Sequence, residues 1–200
     1  MIPLVILLFS AVLHEIMHGV VANRLGDPTA KLMGRLTLNP IPHIDPVMSI
    51  LLPALMLIMS GGRFAFGAAK PVPINPIHFK DPKKDMALCA LAGPLTNVAI
   101  AIIAAQIIKI LPHEPFITPL LFMIVIYNLM LGIINLIPIP PLDGSRLLSA
   151  ILPDELAIPY NSIERFGIFI IPLLIFTPIG GNLITNLLQF GITALGLSSY

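Results

Sequence analysis

The chain has 200 residues, of which 56% are hydrophobic and only 10% charged, whereas an ordinary soluble domain carries roughly 25% charged residues. That composition leaves too little polar surface to cover a water-exposed fold, and the apolar residues come in long runs, so the expected solvent is lipid. A formal net charge of +1, without a basic stripe or a set of stacking aromatics, excludes nucleic acid as a partner.

About 20 apolar residues span a bilayer as a helix. Runs of that order occupy residues 2–22, 86–111, 116–138 and 163–197, and Thr177-Pro178-Ile179-Gly180-Gly181 breaks the last into two helices. The first run lacks the basic leader of a secretory signal and reads as a retained membrane helix. The prediction is an all-α polytopic membrane protein with about five transmembrane helices. It forms a single membrane-embedded domain over residues 1–200, with a core at 1–150 and C-terminal helices at 160–200.

The run 47–60 differs. It follows Pro46, contains Pro53, and as a helix reaches about 21 Å against a hydrocarbon core of about 30 Å. It predicts a re-entrant segment, and such backbone is tolerated at membrane depth only where protein or a water-filled cavity satisfies its polar groups. Residues 61–85, rich in glycine, proline and short alternations, predict extended strands or a small hairpin. Cys89, the single cysteine, cannot form an internal disulfide and lies in an apolar run as a buried, inert thiol.

Lys and Arg in short loops mark the cytoplasmic side. If 47–60 does not span, the segments 23–46, 61–85 and 139–165 share one side. They hold Arg24, Lys31, Arg35, Arg63, Lys70, Lys80, Lys83, Lys84, Arg146 and Arg165, leaving only Lys109 outside. If 47–60 did span, the basic residues would be divided, so the re-entrant reading is preferred and the N-terminus is placed outside.

Within the first helix lies His14-Glu15-Ile16-Met17-His18. Residues four apart share a helix face, so both imidazoles can reach one metal ion, and Glu15 beside them can accept a proton from water that zinc acidifies. Ionisable groups inside a membrane helix cost about 2.5–3.5 kcal/mol each on insertion scales, so three together point to function rather than to a chance match. Catalytic zinc generally takes three protein ligands and leaves a position for water. At the end of the 116–138 run, Asn135-Leu136-Ile137-Pro138-Ile139-Pro140-Pro141-Leu142-Asp143-Gly144 breaks the helix beside a carboxylate. The topology brings Asp143 and His18 to the same membrane face, which makes Asp143 the best third ligand. His43 and Asp45 compete for that role, though they also read as a turn stabilised by an aspartate side chain. His78 and His113 read as ordinary surface histidines.

These residues resemble the site-2 proteases, polytopic intramembrane zinc metalloproteases. The likeness rests on His14-Glu15-x-x-His18, on Ala92-Gly93-Pro94-Leu95-Thr96-Asn97, and on Asn135-x-x-Pro138-x-x-x-x-Asp143-Gly144, in the family's order, and covers residues 10–150. It implies that His14, His18 and Asp143 bind one Zn2+ per chain and that Glu15 activates the attacking water. It also implies that Asn135 lies near the active site, where its amide would donate to the substrate carbonyl or oxyanion. The plainer reading of Asn135 is a hydrogen bond between helices.

The resemblance further implies a transmembrane protein substrate, cleaved within or near its membrane segments in regulated intramembrane proteolysis. The setting it implies is a bilayer, with multi-pass placement in a prokaryotic cell (inner) membrane and the active site toward the cytoplasm. No stretch is long or polar enough for the PDZ domain that many members carry, which marks a compact prokaryotic type. Residues 61–85 and the re-entrant run are expected to pair with unwound substrate by strand addition.

Two rival classes share parts of this pattern. A membrane zincin of the type that processes prenylated proteins takes a glutamate as third ligand, but Glu114, Glu155 and Glu164 fall in or beside loops. In a transporter or metal-binding scaffold, intramembrane histidines and acids form an ion path, a role that gives no reason to keep Glu15.

Overall fold

The computed structural model describes residues 2–59, 61, 67–111 and 114–198. Helix α1 (Ile2–Leu25) is the first apolar run, and Gly26, at a φ of 113°, ends it. A single turn, α2 (Thr29–Leu32), follows. The 47–60 run is a π-helical turn (Pro46–Leu51) continued by α3 (Leu52–Met59), and together they are too short to cross the roughly 30 Å core.

Helix α4 (Pro82–Ile110) begins earlier than the expected residue 86. The cause is a reciprocal cap. The Asp81 side chain accepts the Lys84 N–H, the Asp81 N–H donates to Asp85 Oδ2, and Pro82 occupies the first helical position. Helix α5 (Ile117–Asn135) closes the core. Residues 139–165, expected as loop, contain α6 (Asp143–Ile151) and α7 (Asp154–Ser162), short helices whose charged faces hide them from a search for apolar runs. The C-terminal run is divided at Thr177, as expected, into α8 (Gly167–Phe176) and α9 (Pro178–Ala194).

Among the described residues three helices are long and apolar enough to cross a membrane: α1 with 24 residues, α4 with 29 and α5 with 19. A fourth span exists only if Asp154–Phe166 and Phe169–Ile175 are joined across an 81° bend. Five spans are therefore not found among the described residues, because the break at Thr177 leaves α8 and α9 with 10 and 17 residues. No hairpin appears among the described residues either. Residues 67–75 are irregular and 76–78 form a 3-10 turn, while 62–66 lie outside the described residues.

Helix α4 is the centre of the bundle and packs against α1, α5 and α6, while α5 also packs against α9. Small residues line its contacts: Ala101, Ala104 and Ala105 join Ile108, Val125, Leu129 and Leu197 in the main core cluster. Without a hydrophobic drive between helices in lipid, such small residues let backbones approach and gain dispersion contact. Large apolar side chains such as Phe9, Ile103 and Ile110 point outward and stay exposed, as a lipid-facing surface requires.

Candidate metal centre

His14 and His18 are one turn apart on α1, on the face that meets α4, and both are buried. Asp143 is the first residue of α6. Its Oδ2 stands 3.0 Å from His14 Nε2 and 3.3 Å from His18 Nε2. Among the described residues these three side chains form a group whose ligand atoms all lie within 4.8 Å of one another.

Gly144 makes the delivery of Asp143 possible. A Cβ there would stand 2.2 Å from the Leu136 carbonyl oxygen and 2.7 Å from that of Ile137, so the start of α6 folds onto the end of α5 only with glycine. The expected tight turn is thus present, and close backbone approach is what demands it.

The outer nitrogens of the two imidazoles are held by α4. His18 Nδ1 donates to the Cys89 carbonyl at 2.7 Å, and His14 Nδ1 donates to Asn97 Oδ1 at 2.6 Å. With the proton on Nδ1, a neutral ring presents a bare lone pair at Nε2. Two lone pairs and a carboxylate oxygen then converge, and among the described residues Asp143 Oδ2 is buried and receives no hydrogen bond. This donor set fits a cation, and two imidazoles with one carboxylate is a ligand set used by catalytic zinc. Gly93 bounds the space: a Cβ on it would lie 2.5 Å from His18 Nε2 and 2.6 Å from His14 Nε2.

Glu15 is half-buried, and its Oε2 accepts the Val72 N–H at 2.8 Å. Val72 belongs to a belt whose alternate residues are tied to the protein. The Ala68 N–H donates to the Met48 carbonyl, and the Ala68 carbonyl accepts from Ser49 Oγ. The Lys70 N–H donates to the His43 carbonyl, and the Lys70 carbonyl accepts from Arg35 Nη2. Pro71 and Pro73, which lack an N–H, occupy the intervening places. The belt ends where the Asn75 N–H donates to Asp27 Oδ2 at 2.7 Å. Burial works against the ionised Asp27, but the Thr29 hydroxyl and the backbone N–H groups of Asn75 and Thr29 hold its carboxyl below the usual range.

The other candidates stand apart from this group. His43 is buried, but its Nε2 is bonded to the Thr37 carbonyl at 3.0 Å. Asp45 caps the π-helical turn by accepting the Val47 and Met48 N–H groups. Glu114, Glu155 and Glu164 are exposed, and Glu164 pairs with Arg146. His78 is exposed, while His113 lies outside the described residues. Asn135 gives an amide proton to the Leu131 carbonyl of its own helix at 2.9 Å.

Val72 and Asn128, which supports Asn97, were not singled out from sequence, and neither Gly93 nor Asn97 was given a function. A signal did exist for α4. Cys89, Gly93 and Asn97 are spaced four apart, the same stride as His14 and His18.

The description Peptidase family M50 matches residues 109–177, which include Asn135 and Asp143. The chain is 36% identical over 195 residues to YwhC of Bacillus subtilis (strain 168), covering 92% of this chain and 84% of that protein. It is 29% identical over 196 residues to Rip2 of Mycolicibacterium smegmatis, covering 96% and 73%. Over 195 residues it is 29% identical to MJ0392 of Methanocaldococcus jannaschii, covering 97% and 44%. All three are named as zinc metalloproteases. No solved structure matches the chain. With these relatives and a convergent group of two buried histidines and Asp143, the chain belongs to peptidase family M50, the site-2 proteases, and is a zinc metalloprotease.

Proposed function

We propose that this zinc metalloprotease cleaves transmembrane protein substrates within or near their membrane segments, with one zinc held by His14, His18 and Asp143 and with Glu15 as general base. The observation that carries the reading is the convergence of two Nε2 atoms from α1, a helix long enough to span a bilayer, with Asp143 Oδ2 at the start of α6. The chemistry zinc supplies there when bound is Lewis acidity, which polarises a carbonyl and lets water ionise near neutral pH.

The chain's own residues do the rest. Val72 holds one carboxylate oxygen of Glu15, so the group is oriented to take a proton from the attacking water and pass it to the leaving amine. Asn135 spends one amide proton on Leu131, and its second N–H is the donor proposed for the substrate oxyanion. The cytoplasmic side is assigned to the loops rich in Lys and Arg, which places the N-terminus outside and the site toward the cytoplasm. The bilayer is that of a prokaryotic cell, in keeping with the bacterial and archaeal relatives.

The test is to purify the chain in detergent, measure bound zinc, and compare cleavage of a membrane-spanning substrate by wild type and Glu15→Gln. Zinc retained with cleavage abolished is the expected result. Undiminished cleavage by the variant overturns the role of Glu15.

A further inference from the structure

Three side chains away from the ligands carry a second layer of the site. Asn97 and Asn128 are both 0% exposed and Ser10 is 5% exposed, and each buried amide proton has a defined acceptor. Asn128 Nδ2 donates to the Ile124 carbonyl and to Ser10 Oγ, both at 2.9 Å. A backbone carbonyl only accepts, so the Asn128 amide cannot be reversed, and its Oδ1 must face Asn97. Asn97 Nδ2 in turn donates to Asn128 Oδ1 at 2.9 Å and to the Ser10 carbonyl at 3.4 Å. Asn97 Oδ1 is thereby left for His14 Nδ1.

We infer that Asn97 and Asn128 are positioning residues: a relay anchored on the Ile124 carbonyl of α5 fixes His14 in the tautomer whose Nε2 is free for a metal. The inference rests on the metal-site reading above. Each donor in the relay forces the next, so the direction of the whole chain follows from one helix carbonyl. An imidazole without that fixed acceptor can place its proton on either nitrogen, and the Nε2–H form cannot ligate through that atom. His18 needs no relay, because the Cys89 carbonyl acts on it directly.

A relay and a simple helix-to-helix glue predict opposite rankings. If the amides only pack helices, leucine is well tolerated in lipid and a buried aspartate is not. If they orient His14, an acceptor at position 97 is what counts. Zinc affinity of the full chain in detergent is read by chelator competition. Asn97→Leu and Asn128→Leu should each weaken it about 10–100-fold, while Asn97→Asp stays within about threefold of wild type. Either leucine variant binding zinc like wild type, or Asn97→Asp binding more weakly than Asn97→Leu, overturns the relay. Nitrogen-15 histidine spectra of the zinc-loaded wild type, where folding is not in question, should show His14 with a protonated Nδ1; a bare Nδ1 overturns it too. Wild-type zinc affinity in His14→Ala would bring down the metal-site reading itself. Lost affinity in His14→Ala with unchanged affinity in Asn97→Leu would bring down the relay alone.

Discussion

Gly93 of α4 lies so close to His18 of α1 that a methyl group on its Cα would stand 2.5 Å from the imidazole Nε2. The same methyl would be 2.6 Å from His14 Nε2, so it would crowd both of the atoms that approach Asp143 Oδ2. Gly93→Ala is expected to fold, since alanine favours helix more than glycine does. Zinc affinity should nonetheless fall by about 10–100-fold, and proteolysis with it. Wild-type zinc content in this variant would show that the rings can yield without losing their convergence.

Val72 is the one residue between Pro71 and Pro73, and its N–H is the donor to Glu15. Val72→Pro removes that proton while the metal ligands stay untouched. Cleavage should drop about tenfold, a part of the roughly 10²–10⁴ that a general base contributes, with zinc retained. Val72→Ala, which keeps the N–H, should remain within about twofold of wild type. Equal turnover in both variants would mean that Glu15 is oriented by something else.

Gly144→Ala forces a Cβ to within 2.2 Å of a backbone oxygen, so the turn between α5 and α6 must open. We expect a loss of about 2 kcal/mol or more in stability and weaker zinc binding, because Asp143 moves with the helix it begins. Thermal unfolding and chelator competition on one sample measure both. A destabilised variant with unchanged zinc affinity would separate the turn from the placement of Asp143.

Asp27 gives a pH-dependent prediction. Its folded-state carboxyl lies below the unfolded value of roughly 3.9, so the stabilisation is fully present above that pH and is lost as pH falls through the folded value. Asp27→Asn should therefore lower the melting temperature in detergent at pH 7. The gap from wild type should narrow below about pH 4. A gap that stays constant with pH would show that the anchor on Asn75 does not depend on charge.

The three long spans were legible as apolar runs, and the convergence of His14, His18 and Asp143 was legible because the histidines keep a helical stride and Asp143 follows a helix-breaking cluster of prolines. Helices α6 and α7 were not, since their polar faces give no apolar run to find. The start of α4 was misplaced by hydropathy, which does not register a cap such as Asp81. The role of Asn97 was hidden for another reason: it depends on which side chains of α4 and α5 face Ser10 and His14 of α1, a matter of helix register that one-dimensional spacing only hints at. In sequence terms His43 was a rival ligand and the stretch holding Lys70 a strand for substrate. In the fold they form the tied belt that reaches Glu15.

That belt has a one-sided polarity. Ala68, Lys70 and Val72 turn their amide protons toward the protein, and prolines stand at 71 and 73. Of the intervening residues 69, 71 and 73, only Ala69 carries an N–H. The two prolines can give no backbone hydrogen bond at all, whichever neighbour they meet. Three amide protons already spent and two never present leave this stretch poorly suited to extend a sheet by regular pairing.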